Sequence, residues 1–466
     1  MRRIIALALP VAIVLGACGA AASPSPSPSP APASPTPGSP SPPASTAAPG
    51  SELARAEAGE FRGTSVEILG QWIGTEGDNF QKTLQAFAER TGINIVYGGL
   101  SNYETVLTVR VEGGNAPDLA QLAQPGTMRA FAKAGKLVDL GAVLDRAAVE
   151  RDFGPYLDLG SYEGKLYGLF FRANAKSIVW YPVKAFEAKG YQIPKTWDEL
   201  IALSDRIVAD GSNPWCISIE HKDVSGWVAT DWLEDILLRT APPETYDRWV
   251  NHEIPFNDPA VLRAADLMAK IWFTPNYVYG GTTYINATWV GDTQTPMFDP
   301  AGPKCWFHKQ AAWIPDFWPK DADGNPLFKP GVDSAFFYFP PIDPQYGRPV
   351  LGAGDQFVMF RDRPEVRAVL QYLATPEATK GWIEAGGFVA ANQSVPTSWY
   401  TRYPDSGIAE IIASATTLRF DASDSMPAQV GGAGGSFLKG MVEWVAANGA
   451  NTESIFAKIE ESWPRQ

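Results

Sequence analysis

Histidine, cysteine and positive charge are all scarce in this chain of 466 residues, and each shortage removes a class of function. The three histidines, His221, His252 and His308, include no pair at metal-ligand spacing, which argues against a zinc site. Lys and Arg number 38 against 51 Asp and Glu, for a formal charge of −13 at pH 7. Binding to nucleic acid draws on clustered Lys and Arg, so that class of partner is not expected. No phosphate loop or Gly-x-Ser-x-Gly elbow occurs. Gly352-Ala353-Gly354 lacks the third glycine and the immediate helix of a dinucleotide fingerprint. No cofactor, metal ion or internal repeat is expected. Beyond the N-terminal segment, no stretch is apolar over the roughly 20 residues that a membrane helix needs.

What is present begins with an address. Arg2 and Arg3 precede an apolar run over residues 4–15, too short to span a bilayer, and small residues follow it. This is the pattern of a secretory signal, assigned to residues 1–17. Leu15-Gly16-Ala17-Cys18 resembles the bacterial lipobox, which implies that Cys18 becomes the first mature residue and carries acyl chains. The alternative is an ordinary signal peptide with an incidental cysteine. Ser, Pro, Ala and Thr then dominate, as in Ser23-Pro24-Ser25-Pro26-Ser27-Pro28. Such a chain cannot form a core and suits a tether, assigned to residues 18–61.

With Cys18 spent on lipid, Cys216 and Cys305 remain as an even pair in an oxidising compartment. A disulfide between them is expected; two separate buried thiols are the alternative.

The remaining residues alternate strand and helix patterns. Val66-Glu67-Ile68-Leu69 reads as a strand, Phe80, Leu84 and Phe87 as one face of a helix that Gly92 ends, and residues 93–97 as a second strand. A strand entry at Pro117-Asp118-Leu119 and a helix over 128–135 follow. Ser177-Ile178-Val179-Trp180-Tyr181 is a buried strand candidate. Thr196-Trp197-Asp198-Glu199 is a capping box, and Pro259, Pro364 and Pro376 mark further helix starts. The fold class is therefore α/β. Asp321-Ala322-Asp323-Gly324-Asn325 is expected to be a surface turn, because its glycine is misplaced for a calcium loop.

Tryptophan is abundant, at sixteen residues, and much of it stands beside polar side chains, as in Gln71-Trp72 and Trp227 with Thr230-Asp231-Trp232. A sugar ring has an apolar C–H face that packs on an aromatic plane and a rim of hydroxyls that needs fixed polar partners. Aromatic residues interleaved with acids and amides therefore point to a sugar-binding crevice, although core packing accounts for many single tryptophans.

Several segments taken in order resemble a known family. They are Thr91-Gly92-Ile93, Asn115-Ala116-Pro117-Asp118-Leu119, Gly164-Lys165-Leu166-Tyr167-Gly168-Leu169 and Ile193-Pro194-Lys195-Thr196-Trp197-Asp198-Glu199-Leu200. Tyr246-Asp247-Arg248-Trp249-Val250 and Asp421-Ala422-Ser423-Asp424-Ser425-Met426-Pro427 continue the series. Over residues 62–466 the chain resembles the extracellular solute-binding proteins of sugar ABC importers, in the branch that takes maltose and other α-glucosides. The resemblance implies a two-lobed, periplasmic-binding-protein-like fold with a ligand cleft, crossed first near Arg172-Ala173-Asn174-Ala175. It implies an N-lobe at 62–172 with 346–395 and a C-lobe at 173–345 with 396–466. It also implies a monomer on the outer face of the membrane, held there by its lipid, that passes sugar to permease subunits served by a cytoplasmic ATPase.

Positions matching the family's cleft are Gln71, Trp72 and Glu76 after the first strand, then Asp118, Gln121 and Gln124, then Asn174 and Lys176. Trp227, Asp231 and Trp232 lie across the cleft, and Gly354, Asp355, Phe388 and Met426 complete the set. Gly74-Thr75-Glu76 stands where relatives can carry an Asp-Lys pair, which leaves the hydroxyl contacts there open. Lys176 in a buried strand points to a hydroxyl or carboxylate partner, with a purely structural ion pair as the alternative. No catalytic residue is assigned. A secreted glycoside hydrolase, with two acids flanking one bond, and a surface adhesin or sensor are the alternatives.

Overall fold

The computed structural model describes residues 50–322 and 327–464. The signal segment, Cys18, the tether as far as residue 49 and positions 323–325 of the acidic turn lie outside the described residues.

Among the described residues the strands form a seven-stranded sheet, a four-stranded sheet and a small hairpin. The large sheet starts as expected. Strand Ser65–Gly70 runs into helix Gly74–Thr91, whose Phe80, Leu84 and Phe87 are buried on one face. Gly92, at φ 73°, ends the helix in the left-handed conformation that glycine adopts without strain. Strand Asn94–Gly99 then pairs in parallel with the first, from Ser65 opposite Asn94 to Gly70 opposite Gly99. A Cβ on Gly99 would meet the Trp72 carbonyl oxygen at 2.1 Å, so only glycine lets the loop after the first strand fold back this far.

Strand Pro349–Met359, buried along its whole length, is the axis of this sheet. It pairs antiparallel with Gly168–Ala175 on one side and with Leu119–Leu122 on the other, and in parallel with Thr417–Phe420 at its N-terminal end. Its register with Gly168–Ala175 slips between Asp355 and Gln356, opposite Arg172 and Phe170. Such a bulge re-aims neighbouring side chains, and here it turns Asp355 and Arg172 to one cavity.

The second sheet orders Ser334–Tyr338, Ile178–Pro182, Cys305–Lys309 and Asn213–Trp215. Thr196 caps helix Trp197–Ala209 by accepting the Glu199 N–H, while Glu199 reaches back to the N–H of Lys195. Helices Trp227–Leu237, Pro259–Trp272 and Ser436–Ala446 bury one large core with this sheet, which includes Trp232, Trp249, Trp272 and Trp444. A second core gathers under the seven-stranded sheet around Trp72, Phe80, Phe357 and Trp382. Cys216 and Cys305 are bonded, with their Cα atoms 5.5 Å apart.

Two expected boundaries differ. Residues 51–61 are not tether: helix Glu52–Glu57 buries Leu53 and Ala56, and the Leu53 N–H donates to Gln371 on helix Pro364–Leu373. Phe61 joins the same core. The last passage between the two cores comes not near 396 but after Phe420. Strand Thr417–Phe420 pairs within the seven-stranded sheet, and Val395, Ile408 and Ile411 pack in the core beneath it. From Ala422 onward the chain packs in the other core.

Candidate functional site

A cavity of about 620 Å³ lies between residues of the seven-stranded sheet and the helices beyond it. That volume is in the range of small-molecule sites. One wall comes from the ends of strands: Gln71, Trp72 and Glu76 follow the first strand, Gln124 follows Leu119–Leu122, and Asn174, Lys176, Gly354 and Asp355 lie on or beside the central pair. The facing wall is aromatic. Trp227 opens helix Trp227–Leu237, and ring centroids run from Trp227 to Trp313 at 5.7 Å, from Trp313 to Phe317 at 5.5 Å and from Phe317 to Trp289 at 5.7 Å. His221 Nδ1 accepts the Trp227 indole N–H at 3.0 Å, which holds that ring in place.

Two buried ion networks stand behind these walls. Arg172 donates to Glu76 at 2.5 Å and to the Gly387 carbonyl at 2.7 Å, and its guanidinium lies 5.1 Å from the Trp382 ring centre. Asp355 accepts from Gln71 at 2.9 Å and from Gln121 at 2.6 Å. Burial lifts the Asp355 carboxyl to about 6 against the pull of Arg172. These groups offer a ligand fixed donors and acceptors whose own geometry is already set by partners.

Lys176 is the centre of the second network. Its ammonium bonds Asp421 at 2.5 Å and Asp231 at 2.7 Å and lies 5.5 Å from the Trp227 ring centre. The two acids answer differently to one cation. Burial drives Asp231 up to about 8. Burial also acts on Asp421, but Lys176 outweighs it and holds that carboxyl below its usual range. Asp421 accepts in addition from the Ser423 hydroxyl and the Asp424 N–H, so the negative charge resides on Asp421. Asp231, Glu234 and Asp421 approach within 4.8 Å of one another. The Lys176 ammonium already supplies the positive charge there, and Glu234 accepts the N–H groups of Ala422 and Ser423.

The cavity brings together Gln71, Trp72, Glu76, Gln124, Asn174, Lys176, Trp227, Gly354 and Asp355 from the expected set. Asp118, Gln121, Asp231, Trp232, Phe388 and Met426 do not line it. Asp118 precedes its strand, at the end away from the cavity, and holds the Glu67 N–H and Arg363. Gln121 and Asp231 stand one layer back, orienting Asp355 and Lys176. Trp232 is 1% exposed and packs edge-on against Trp215 and Trp272. Phe388 packs on Phe171 and Trp382, and Met426 lies in the helical core. Not expected were Trp289, Trp313, Phe317, Tyr103, Glu104, Arg172 and Asp421 as lining residues. Helical period would have separated Trp227 from Trp232, since five residues carry a side chain well around the axis. No local pattern marks the others.

The pattern of the bacterial extracellular solute-binding proteins matches residues 73–380. The chain belongs to that family. It is similar to the osmoprotective compounds-binding protein GgtB of a Synechocystis strain, at 42% identity over 86% of this chain and 92% of the relative. It is also similar to the alpha-glucosides-binding periplasmic protein AglE of Rhizobium meliloti, at 37% identity over 87% and 88%. Among solved structures, the bacterial solute receptor AcbH superposes with a TM-score of 0.72 at 18% identity, covering 85% of this chain and 98% of that one, which shows a shared fold. Membership in this solute-binding family implies work outside the cytoplasm, and it sets aside the hydrolase reading.

Proposed function

We propose that this solute-binding protein captures an α-glucoside outside the cytoplasm and delivers it to the membrane permease of an ABC importer. The observation that carries the reading is the composition of the cavity: a row of four linked aromatic rings faces Glu76, Arg172, Lys176 and Asp355 across a space of small-molecule size. Flat rings take the C–H faces of a sugar, and the charged groups take its hydroxyls. The likeness to the α-glucoside-binding relative supports the choice of sugar.

Two lobes that close on the sugar complete the reading. Separate cores flank the cavity, and the chain passes between their sheets near Lys176, before Pro349 and after Phe420. Closure is then a population shift set by the sugar's preference for the closed form. Cys18 anchors the mature chain through its acyl groups, and residues 19–50 give it reach.

Isothermal calorimetry with trehalose, maltose and sucrose tests the sugar. Saturable one-to-one binding with the sugar recovered intact is expected for at least one of them. No heat from any of the three, or cleavage of the sugar, would count against it. Small-angle scattering should show a smaller radius of gyration with the bound sugar, and lipid labelling should vanish in Cys18→Ala.

A further inference from the structure

The cavity has two polar ends of different character. At one, Arg172 is paired with Glu76, and Asp355 lies within its electrostatic reach. At the other, Tyr103 and Glu104 open helix Tyr103–Glu112 and line the cavity with Asp223 and Asp424, and Asp223 accepts the Thr105 hydroxyl at 2.6 Å. Lys222, also at this end, has its ammonium on the Ser101 hydroxyl at 2.9 Å. Two atoms there lack partners although they are shielded from water: the Tyr103 hydroxyl, on a side chain only 3% exposed, and Glu104 Oε2. An unpaired hydroxyl in such a place costs about 1–3 kcal/mol, and one that faces a cavity can be paired by what enters it.

We propose that this end of the cavity receives the hydroxyl-bearing terminus of the ligand, with the Tyr103 hydroxyl and the Glu104 carboxyl as its direct hydrogen-bond partners. The inference rests on the sugar-binding reading above and adds two contacts to it. Vicinal hydroxyls both donate and accept. One can donate to Glu104 Oε2 while its neighbour accepts from Tyr103, which pairs both orphaned atoms at once. A quaternary ammonium group, the other chemistry that acids beside aromatic rings attract, has neither donor nor acceptor and would leave the Tyr103 hydroxyl unpaired. Burial and the facing Asp223 push the Glu104 carboxyl up to about 7, so a fixed cation is not required there.

The test uses the full mature chain, with Tyr103→Phe and Glu104→Gln as variants that keep shape. Calorimetry with trehalose, maltose and sucrose gives each dissociation constant, and thermal melting without sugar reports the free protein. The sugar bound by the native chain should bind about tenfold more weakly to each variant. The sugar-free melting temperature of Tyr103→Phe should be equal or higher, because an unpaired group has been removed. Unchanged affinity in Tyr103→Phe overturns the inference while the sugar reading stands. Displacement of the sugar by choline, lost in Glu104→Gln, also overturns it. A native chain that binds none of the three sugars removes both readings together.

Discussion

Lys176 Nζ lies 2.5 Å from Asp421 Oδ2, joining residues 245 positions apart at two places where the chain leaves the seven-stranded sheet. Both side chains are buried, and a second acid, Asp231, shares the same ammonium at 2.7 Å. Removing the cation leaves the buried Asp421 carboxylate without its main partner. Lys176→Met should therefore cost about 3–5 kcal/mol in urea denaturation followed by tryptophan fluorescence. The double variant with Asp421→Asn should recover part of that loss, since the uncompensated charge is gone as well. Equal midpoints for the native chain and Lys176→Met would show that the pair does not hold these crossings.

Trp227 and Trp232 share one helix and should respond in opposite ways. Trp227 lines the cavity, half-buried, whereas Trp232 packs among Trp215, Trp272 and Phe339. Trp227→Ala should weaken sugar binding about tenfold or more while the melting temperature holds. Trp232→Ala should cost about 3–5 kcal/mol of stability through the cavity it opens in the core. Melting curves and calorimetry on both proteins decide the matter, and a Trp232→Ala protein that melts normally would contradict this core assignment.

Local chemistry was legible: Thr196 caps its helix, Gly92 ends another, and the strand–helix–strand unit from Ser65 to Gly99 forms as its apolar spacing predicts. The strand-end residues of the cavity were legible too, because ligands of parallel strands gather beyond their C-terminal ends. By that rule Gln124 belongs in the cavity and Asp118, at the opposite strand end, does not. Trp289, Trp313 and Phe317 could not be read this way. They come from segments with no shared period, and only tertiary packing lines them up. The folded part begins earlier than composition suggests, because the short helix Glu52–Glu57 owes its order to docking on Pro364–Leu373, not to its own length.

Stability should fall as the solution is made alkaline. Burial lifts Asp405 to about 7, although its carboxyl accepts the Gly387 N–H at 3.1 Å, and lifts Asp231 to about 8 and Asp355 to about 6. An unfolded Asp releases its proton near 3.8. The native state therefore keeps protons that the unfolded chain has lost, and the stabilisation they carry declines as pH rises from 3.8 until each group ionises, near 6 for Asp355, 7 for Asp405 and 8 for Asp231. His308 acts in the other direction. Burial lowers it to about 4 from 6.5, so its contribution is lost as pH falls from 6.5 toward 4. Above pH 6.5 the acids alone set the slope, at most about 1.4 kcal/mol per pH unit for each proton held. Urea midpoints should drop between about pH 6.5 and 8, and Asp405→Asn should flatten the part of that drop below about 7. A level profile in the native chain would mean these carboxyls are already ionised.

The Cys216–Cys305 bond should matter more for stability than for binding. It closes a separation of 89 residues within the four-stranded sheet's own domain of packing, next to Met297 and away from the cavity walls. A cross-link over that span restricts the unfolded chain by about 4–5 kcal/mol in the chain-entropy picture. Reduction with a thiol, or Cys216→Ser with Cys305→Ser, should lower the urea midpoint accordingly. The dissociation constant for the sugar, measured well below the new midpoint, should stay within about twofold, because neither cysteine lines the cavity. Equal loss of binding and stability would place the bond in the path of closure, since a change of a few kcal/mol in the population of the closed form reads directly as affinity.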